Sequence, residues 1–179
     1  YIGENRTRHM KPVAFLILTS LLYTLIAHLT HADKIYIEKE KIVFDKSSVG
    51  AIMGWVQTHY GYANIIMGFF IALCVQLVFR KYCYNFYETT VLLCFVMGEG
   101  MLLLSIEALF VGLLNAQIYK LLLTAIALAY PTWAIGNFFD KAKISSYIKA
   151  FFSYVLGYFL FYLAVILVGL TADAIKKML

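Results

Sequence analysis

The sequence predicts an all-α bundle of five membrane-spanning helices, and three observations support that class. Hydrophobic residues make up 63% of the 179 positions, whereas soluble domains contain about 45–50%. The apolar residues gather into five long runs, separated mostly by short polar breaks. Each run approaches or exceeds the roughly 20 residues that a helix needs to cross a hydrocarbon core of about 30 Å. The runs occupy residues 12–29, 61–79, 86–114, 121–139 and 150–170.

The length suits one compact unit, so residues 1–179 are predicted to form a single integral membrane domain. The formal net charge is +5, but Lys and Arg lie beside the ends of apolar runs and form no single basic stripe. This distribution is typical of topology signals and argues against nucleic-acid binding. The expected partners are the lipid bilayer and either another membrane protein chain or a second copy of this one.

The basic residues also predict an orientation. They mark the arm 1–11, the break after the second run and the break before the fifth, as Arg6, Arg8, Lys11, Arg80, Lys81, Lys141, Lys143 and Lys149. Five spans place these three regions on one side, which the positive-inside rule identifies as cytoplasmic. The N-terminus is then cytoplasmic and residues 30–60 are external. Within them, 34–50 is either a small hairpin or an unstructured loop, and 49–60, with Trp55, is expected to follow the membrane surface.

Glu99 is the sharpest polar feature, near the middle of the third run and between Gly98 and Gly100. An ionised carboxylate at that depth is costly unless it is paired, so Glu99 is expected to face protein or water and not lipid. On a helix Glu107 lies about 80° round from Glu99, and Glu88 lies about 20° off the same direction. One face of this helix is thus predicted to carry three acids at different depths.

Two interpretations of these acids stay open. The first is a path that handles protons or cations, since intramembrane acids are commonly functional. The second is a protonated Glu99 that is hydrogen-bonded to a neighbouring helix, with Gly98 and Gly100 allowing close approach. The run 86–114 exceeds one span, so we expect it to tilt, to break near these glycines, or to leave Glu88 and Glu107 near the membrane surfaces.

The second span carries a stripe of small and amide side chains at intervals of four residues: Asn64, Gly68, Ala72 and Gln76. Small residues at this spacing let two helices approach, and amides hydrogen-bond across the contact. The stripe is therefore interpreted as a helix-packing seam. The alternative, the lining of a solvated pathway, is disfavoured because this face carries no charge.

The fourth span contains Pro131, which is predicted to kink its helix or to leave a carbonyl free for another partner. The fifth span has tyrosines at helical spacing beside Ser153 and Gly157. We expect these tyrosines to pack against other spans with their hydroxyls hydrogen-bonded, and a ligand-stacking surface is the alternative. They are Tyr147, Tyr154, Tyr158 and Tyr162.

No catalytic, cofactor-binding or metal-binding residues are assigned. The three cysteines, Cys74, Cys83 and Cys94, are odd in number and lack Cys-x-x-Cys spacing, so they are expected to be apolar fillers. His28, His31 and Asp33 cluster at the end of the first span, but such a group is more often incidental than a metal site. Nucleophile, phosphate-loop and dinucleotide motifs are absent from the sequence, which predicts a protein that is not an enzyme.

Two segments suggest a family. Residues 1–12, with Tyr1, Gly3 and basic residues before Pro12, and residues 84–88, ending in Glu88, resemble matching segments of a family of inner-membrane proteins from Bacteroidota. Thr89 stands where that family usually has His. The resemblance implies a bacterial inner-membrane domain, preceded in longer members by a cytoplasmic zinc ribbon. Since the chain begins at Tyr1 without a signal-peptide pattern, it is expected to be part of a longer protein.

Two functions follow from this sequence. The favoured one is a non-enzymatic subunit or scaffold of a membrane complex, because the polar residues concentrate on predicted packing seams. The alternative is a small transporter or channel for protons, ions or a lipid-like substrate, organised around Glu99 and the kink at Pro131.

Overall fold

The structure, a computed structural model, describes residues 11–31, 47–111, 113 and 115–178. Within these residues the chain forms six α-helices and a short 3₁₀ turn at Arg80–Tyr82, so the all-α prediction is confirmed. The helices are α1 (Pro12–Leu29), α2 (Ser48–Thr58), α3 (Tyr60–Val78), α4 (Phe86–Leu109), α5 (Ala116–Asp140) and α6 (Ile144–Met178). The predicted arm up to residue 10 and most of the external loop lie outside the described residues.

Local signals set both ends of α4. A capping box opens the helix: the Asn85 side chain accepts from the Glu88 N–H at 2.8 Å, and the Asn85 N–H donates to Glu88 Oε2 at 2.9 Å. The helix is continuous through Gly98 and Gly100 and ends at Leu109, before the predicted limit at residue 114. It ends there because the next N–H groups bond three residues back, to Glu107 and Ala108, and tighten the last turn.

In the described part of the chain, α1, α4, α5 from Gln117 onward, and α6 are long and apolar enough to cross a membrane. This supports a membrane protein by length and composition. The apolar stretch of α3 over Tyr62–Val78 is shorter, so the predicted span at 61–79 stays a prediction. With 35 residues, α6 extends beyond the predicted 150–170 at both ends.

The helix α3 lies at the centre of the bundle, where it contacts α1, α4 and α6. The helix α5 packs between α4 and α6, and α2 lies mainly against α6. The core brings together Leu16 of α1, Ile71 of α3, Leu93 of α4 and Ile135 of α5, each at most 2% exposed.

Two glycines of α6 permit close contacts with α3 and α2. A Cβ at Gly157 would lie 2.5 Å from Ile71 Cα on α3, and one at Gly169 would lie 2.7 Å from Val49 Cα on α2. Both contacts are with backbone, which cannot rotate away as a side chain can. These two positions therefore exclude any side chain at the present helix spacing.

An aromatic cluster closes one end of the bundle. Phe79, after α3, stacks on Phe139 of α5 with ring centroids 4.1 Å apart, and Tyr82 and Tyr84 pack against Phe139 at 5.5 and 5.6 Å. We call the end formed by Phe79–Asn85 and Phe139–Lys143 the basic end. There Lys143 donates to Asp140 at 2.9 Å, and this hydrogen bond raises the pKa of Lys143.

The opposite end is tied together by α2 and the last turns of α6. Both carboxylate oxygens of Asp173 accept from the Ser48 N–H, at 3.0 and 3.1 Å, and Lys176 Nζ donates to Ser48 Oγ at 2.9 Å. An acid at this place satisfies a free N–H and complements the positive end of the α2 dipole. The C-terminal part of α6 thus anchors the start of α2.

We predict that Asp173→Ala loosens α2 without unfolding the bundle. The loss of a cap costs about 1 kcal/mol, so amide exchange in α2 should accelerate about fivefold. Hydrogen exchange followed by mass spectrometry measures it. Thr171→Ala is the matched control, because the exposed Thr171 bonds within its own helix, to Val168 O at 2.9 Å. Equal exchange in both variants would contradict the anchor.

Candidate functional site

Glu99 and Tyr130 form a hydrogen-bonded acid–tyrosine pair between the middle of α4 and α5. Glu99 projects from the middle of α4, and Tyr130 of α5 donates its hydroxyl to Glu99 Oε2. Gly100 gives the tyrosine ring room, since a Cβ there would lie 3.8 Å from Tyr130 Cδ1. Glu99 is nevertheless exposed on the outer surface of the described helices. The pair therefore presents a carboxyl group to whatever surrounds the bundle.

Pro131 directly follows this tyrosine and is buried. The helix α5 remains helical on both sides of it, although a proline removes one N–H donor from the ladder. On the next residue, Thr132 Oγ1 donates to Leu128 O at 2.7 Å. Pro131 thus lies beside the Glu99–Tyr130 pair. The backbone carbonyl that loses its N–H donor to the proline lies in the turn before Tyr130.

A second acid and tyrosine approach each other where α4 ends and α5 begins. Glu107 of α4 is 6% exposed and Tyr119 of α5 is 1% exposed. Tyr119 packs on Ala27 of α1 and on Ala108 of α4, the residue next to Glu107, and Tyr23 of α1 packs against the same cluster. Among the described residues, neither Glu107 oxygen nor Tyr119 Oη has a hydrogen-bond partner. This pair is buried, whereas Glu99 is exposed.

The predicted row of three acids is divided among three environments. Glu88 is exposed and serves the capping box at the basic end. Glu99 and Glu107 are eight residues apart, about 12 Å along the helix. The positions between them on the facing surfaces, Leu103 on α4 and Leu123 and Ala127 on α5, are apolar. No described polar side chain on these faces links the two acid–tyrosine pairs.

The stripe on α3 faces its neighbours in the bundle. Asn64 is 1% exposed and its Nδ2 donates to Ser20 Oγ of α1 at 3.5 Å. Gly68 lies against Met97 of α4, whose Sδ would be 3.0 Å from an added Cβ. Ala72 is fully buried. Gln76 accepts from Thr89 Oγ1 of α4 at 2.7 Å and donates to Tyr84 O at 2.6 Å. These contacts are those of a packing seam.

The tyrosines of α6 do not share one environment. Tyr154 is buried, whereas Tyr158 is exposed and bonds Tyr162 through the two hydroxyls at 3.2 Å. Tyr147 Oη donates to Lys141 O at 3.3 Å. Buried Ser153 bonds within its own helix, to Ala150 O at 3.0 Å. The row mixes packing residues with surface residues, and its described contacts include no ligand-sized aromatic slot.

Transition-metal and thiol chemistry have little geometric basis in the described bundle. Within the described residues no group of three or more His, Cys, Asp or Glu side chains could hold a metal ion, and Asp33 falls outside them. Cys74 and Cys94 are buried, as expected of fillers, whereas Cys83 is exposed in the 3₁₀ connection.

The sequence interpretation did not include the tyrosine partners. In a hairpin of antiparallel helices, residues equally far before and after the turn lie side by side. Residue 113 lies midway between Glu107 and Tyr119, so this rule could have paired them. The contact between Asp173 and Ser48 joins residues 125 positions apart and has no comparable local signal.

Comparison with protein-family models, with curated proteins and with solved structures gave no match. The fold and the site define the class: the described residues form an all-α bundle with four helices long and apolar enough to cross a membrane and two acid–tyrosine pairs between α4 and α5. The resemblance of residues 1–12 and 84–88 to a Bacteroidota family stays a prediction.

Proposed function

We propose that this chain is a non-enzymatic integral subunit or scaffold of a membrane complex, with five spans in a bacterial inner membrane. The basic breaks after α3 and after α5 lie at the same end of the bundle. The helix α1 runs in the same direction as α4, with Phe15 against Gly98 and Ala27 beside Ala108. This arrangement supports a cytoplasmic basic end and a cytoplasmic N-terminus.

The exposed position of Glu99 supports this function most directly. An ionisable group at mid-span is costly against lipid and normally faces protein or a water-filled cavity. In this bundle Glu99 points outward, and Tyr130 is its hydrogen-bond partner. A span of another protein packed over Glu99 would remove the carboxyl from lipid and supply further donors.

The surface around Glu99 is suited to such a contact. Phe95 and Leu103 lie one turn before and after Glu99 on α4, and Trp133 lies beside Tyr130 on α5 with ring centroids 6.3 Å apart. Phe95, Leu103 and Trp133 are 38%, 37% and 56% exposed. We call Phe95, Glu99, Leu103, Tyr130 and Trp133 the Glu99 face. Exposed aromatic residues grouped around one polar contact are typical of interface centres.

Charge complementarity favours a different chain over a second copy. None of the predicted spans 12–29, 61–79, 86–114, 121–139 and 150–170 contains Lys or Arg. A second copy therefore offers no cation at the depth of Glu99. The proposed partner is a membrane protein with a basic side chain in one of its spans.

Site-specific photocrosslinking in native membranes tests the proposal. A photoreactive residue replaces Leu103 on the Glu99 face or, as control, Leu167 of α6, which is 54% exposed. We expect a single protein to crosslink from position 103 and not from position 167, and its crosslinked span should contain a polar donor. Crosslinking only to lipid, or equally from both positions, would contradict the interface.

We further predict that Glu99→Gln reduces copurification of the partner that crosslinking identifies, without crosslinker, about tenfold. A desolvated charge pair contributes about 1.4 kcal/mol or more to the affinity. Quantitative mass spectrometry after gentle detergent extraction measures the ratio of partner to bait. Glu88→Gln makes the same chemical change at the capping box, outside this face, and should retain the partner. Full recovery with Glu99→Gln would remove Glu99 from the interface.

Transport of protons, ions or a lipid-like substrate is the second candidate. It draws on the two acid–tyrosine pairs between α4 and α5, with Pro131 beside one of them. The apolar interval of about 12 Å between the pairs opposes a continuous path. Flux measurements in reconstituted vesicles distinguish the two candidates. If the wild-type chain transports and Glu99→Gln abolishes transport while keeping its helix content, transport is favoured over the scaffold.

A further inference from the structure

Glu107 and Tyr119 are the most deeply buried acid and phenol that approach each other in the described structure. They are 6% and 1% exposed, and neither contributes to the Glu99 face. A carboxylate that is buried loses its hydration, and this loss is costly. The cost is offset only by hydrogen-bond donors or by a nearby positive charge. Within the described chain no donor reaches the oxygens of Glu107.

The position of Glu107 at the C-terminal end of α4 increases the need for a compensating positive charge. Glu107 lies in the last turn of α4, which ends at Leu109. The C-terminal end of a helix carries partial negative charge from its free carbonyls, so it disfavours an anion and favours a cation. Tyr119 Oη adds another unpartnered oxygen from the facing helix. Apolar residues such as Ala27, Ala108 and Leu123 surround the pair, together with the phenol of Tyr23 on α1.

We propose that Glu107 and Tyr119 bind a monovalent inorganic cation, Na⁺ or K⁺. Carboxylate, phenol and carbonyl oxygens are hard ligands, which suit such ions better than soft transition metals. One carboxylate balances one positive charge, whereas a divalent ion would leave excess charge in a buried site. Because Glu107 is close to the end of α4, the ion reaches it without crossing the middle of the bundle. This site is independent of the proposed partner at Glu99.

Thermal unfolding of the full chain in neutral detergent tests the site. NaCl or KCl replaces N-methylglucamine chloride at constant ionic strength, so general screening stays the same. We expect the midpoint to rise saturably by about 2–4 °C when the ion reaches about five times its dissociation constant. One of the two ions should act at lower concentration than the other.

Variants assign the effect to these residues. Glu107→Gln should abolish the ion-dependent rise, and Tyr119→Phe should weaken it at least threefold in apparent affinity. Glu88→Gln, with its acid at the basic end, should keep the rise. The wild-type chain alone already decides the existence of the site: a midpoint that is the same in all three salts overturns the proposal. An equal rise in Glu107→Gln overturns the assignment.

Discussion

Gly157→Ala should strongly destabilise the bundle. The new Cβ would lie 2.5 Å from Ile71 Cα and 2.9 Å from Ile71 N, so α3 and α6 must separate. Overpacking of this kind costs about 3 kcal/mol, and more where backbone must move. The free energy of unfolding, measured by denaturant titration in mixed micelles with circular dichroism, should fall by that amount.

Gly54→Ala is the matched control. Its added Cβ meets no atom within 4 Å, and alanine is the better helix former by up to about 1 kcal/mol. Stability should therefore stay the same or rise slightly. If Gly157→Ala matches this control, α3 and α6 are not in direct backbone contact and the central position of α3 is wrong.

Phe139→Ala should remove most of the packing at the basic end. Phe139 is 8% exposed and contacts the rings of Phe79, Tyr82, Tyr84 and Phe138. Truncating a buried phenylalanine costs about 3–5 kcal/mol, because the transfer and cavity terms add. The same denaturant titration measures the loss, and the 3₁₀ turn at Arg80–Tyr82 should exchange its amide hydrogens faster.

Phe152→Ala provides the comparison, since Phe152 of α6 is 65% exposed. A side chain outside the bundle contributes little to folding, so the expected loss is below about 1 kcal/mol. Similar losses for the two variants would mean that the aromatic cluster does not join the helices. A large loss confined to Phe139→Ala supports the close approach of the loops after α3 and after α5.

Several features of the bundle followed from local sequence. The helix α1 begins at Pro12, the first residue of the predicted run 12–29, and Asn85 with Glu88 begins α4 through a capping box. The small and amide stripe on α3 meets α1 and α4 because residues four apart share a helix face. In these cases the relevant interactions are a few residues apart, so the sequence carries them directly.

The environments of the acids were less accessible to sequence reasoning. Glu99 has the central position, yet Glu107 is the buried acid and Glu88 is a cap. The helix α4 is apolar on nearly every side, so its pattern does not distinguish an inward from an outward face. Its rotation is set by packing on its neighbours, which includes the contact of Phe15 and Thr19 of α1 with Gly98.

The sequence by itself determined that the chain is helical and apolar enough for a membrane, because length, composition and helical spacing are properties of single segments. Tertiary structure alone decided that Tyr130 meets Glu99, that Tyr119 meets Glu107 and that Asp173 holds Ser48. These contacts join different helices. They depend on how each helix is rotated and shifted against its neighbours, which the packing of the whole bundle sets.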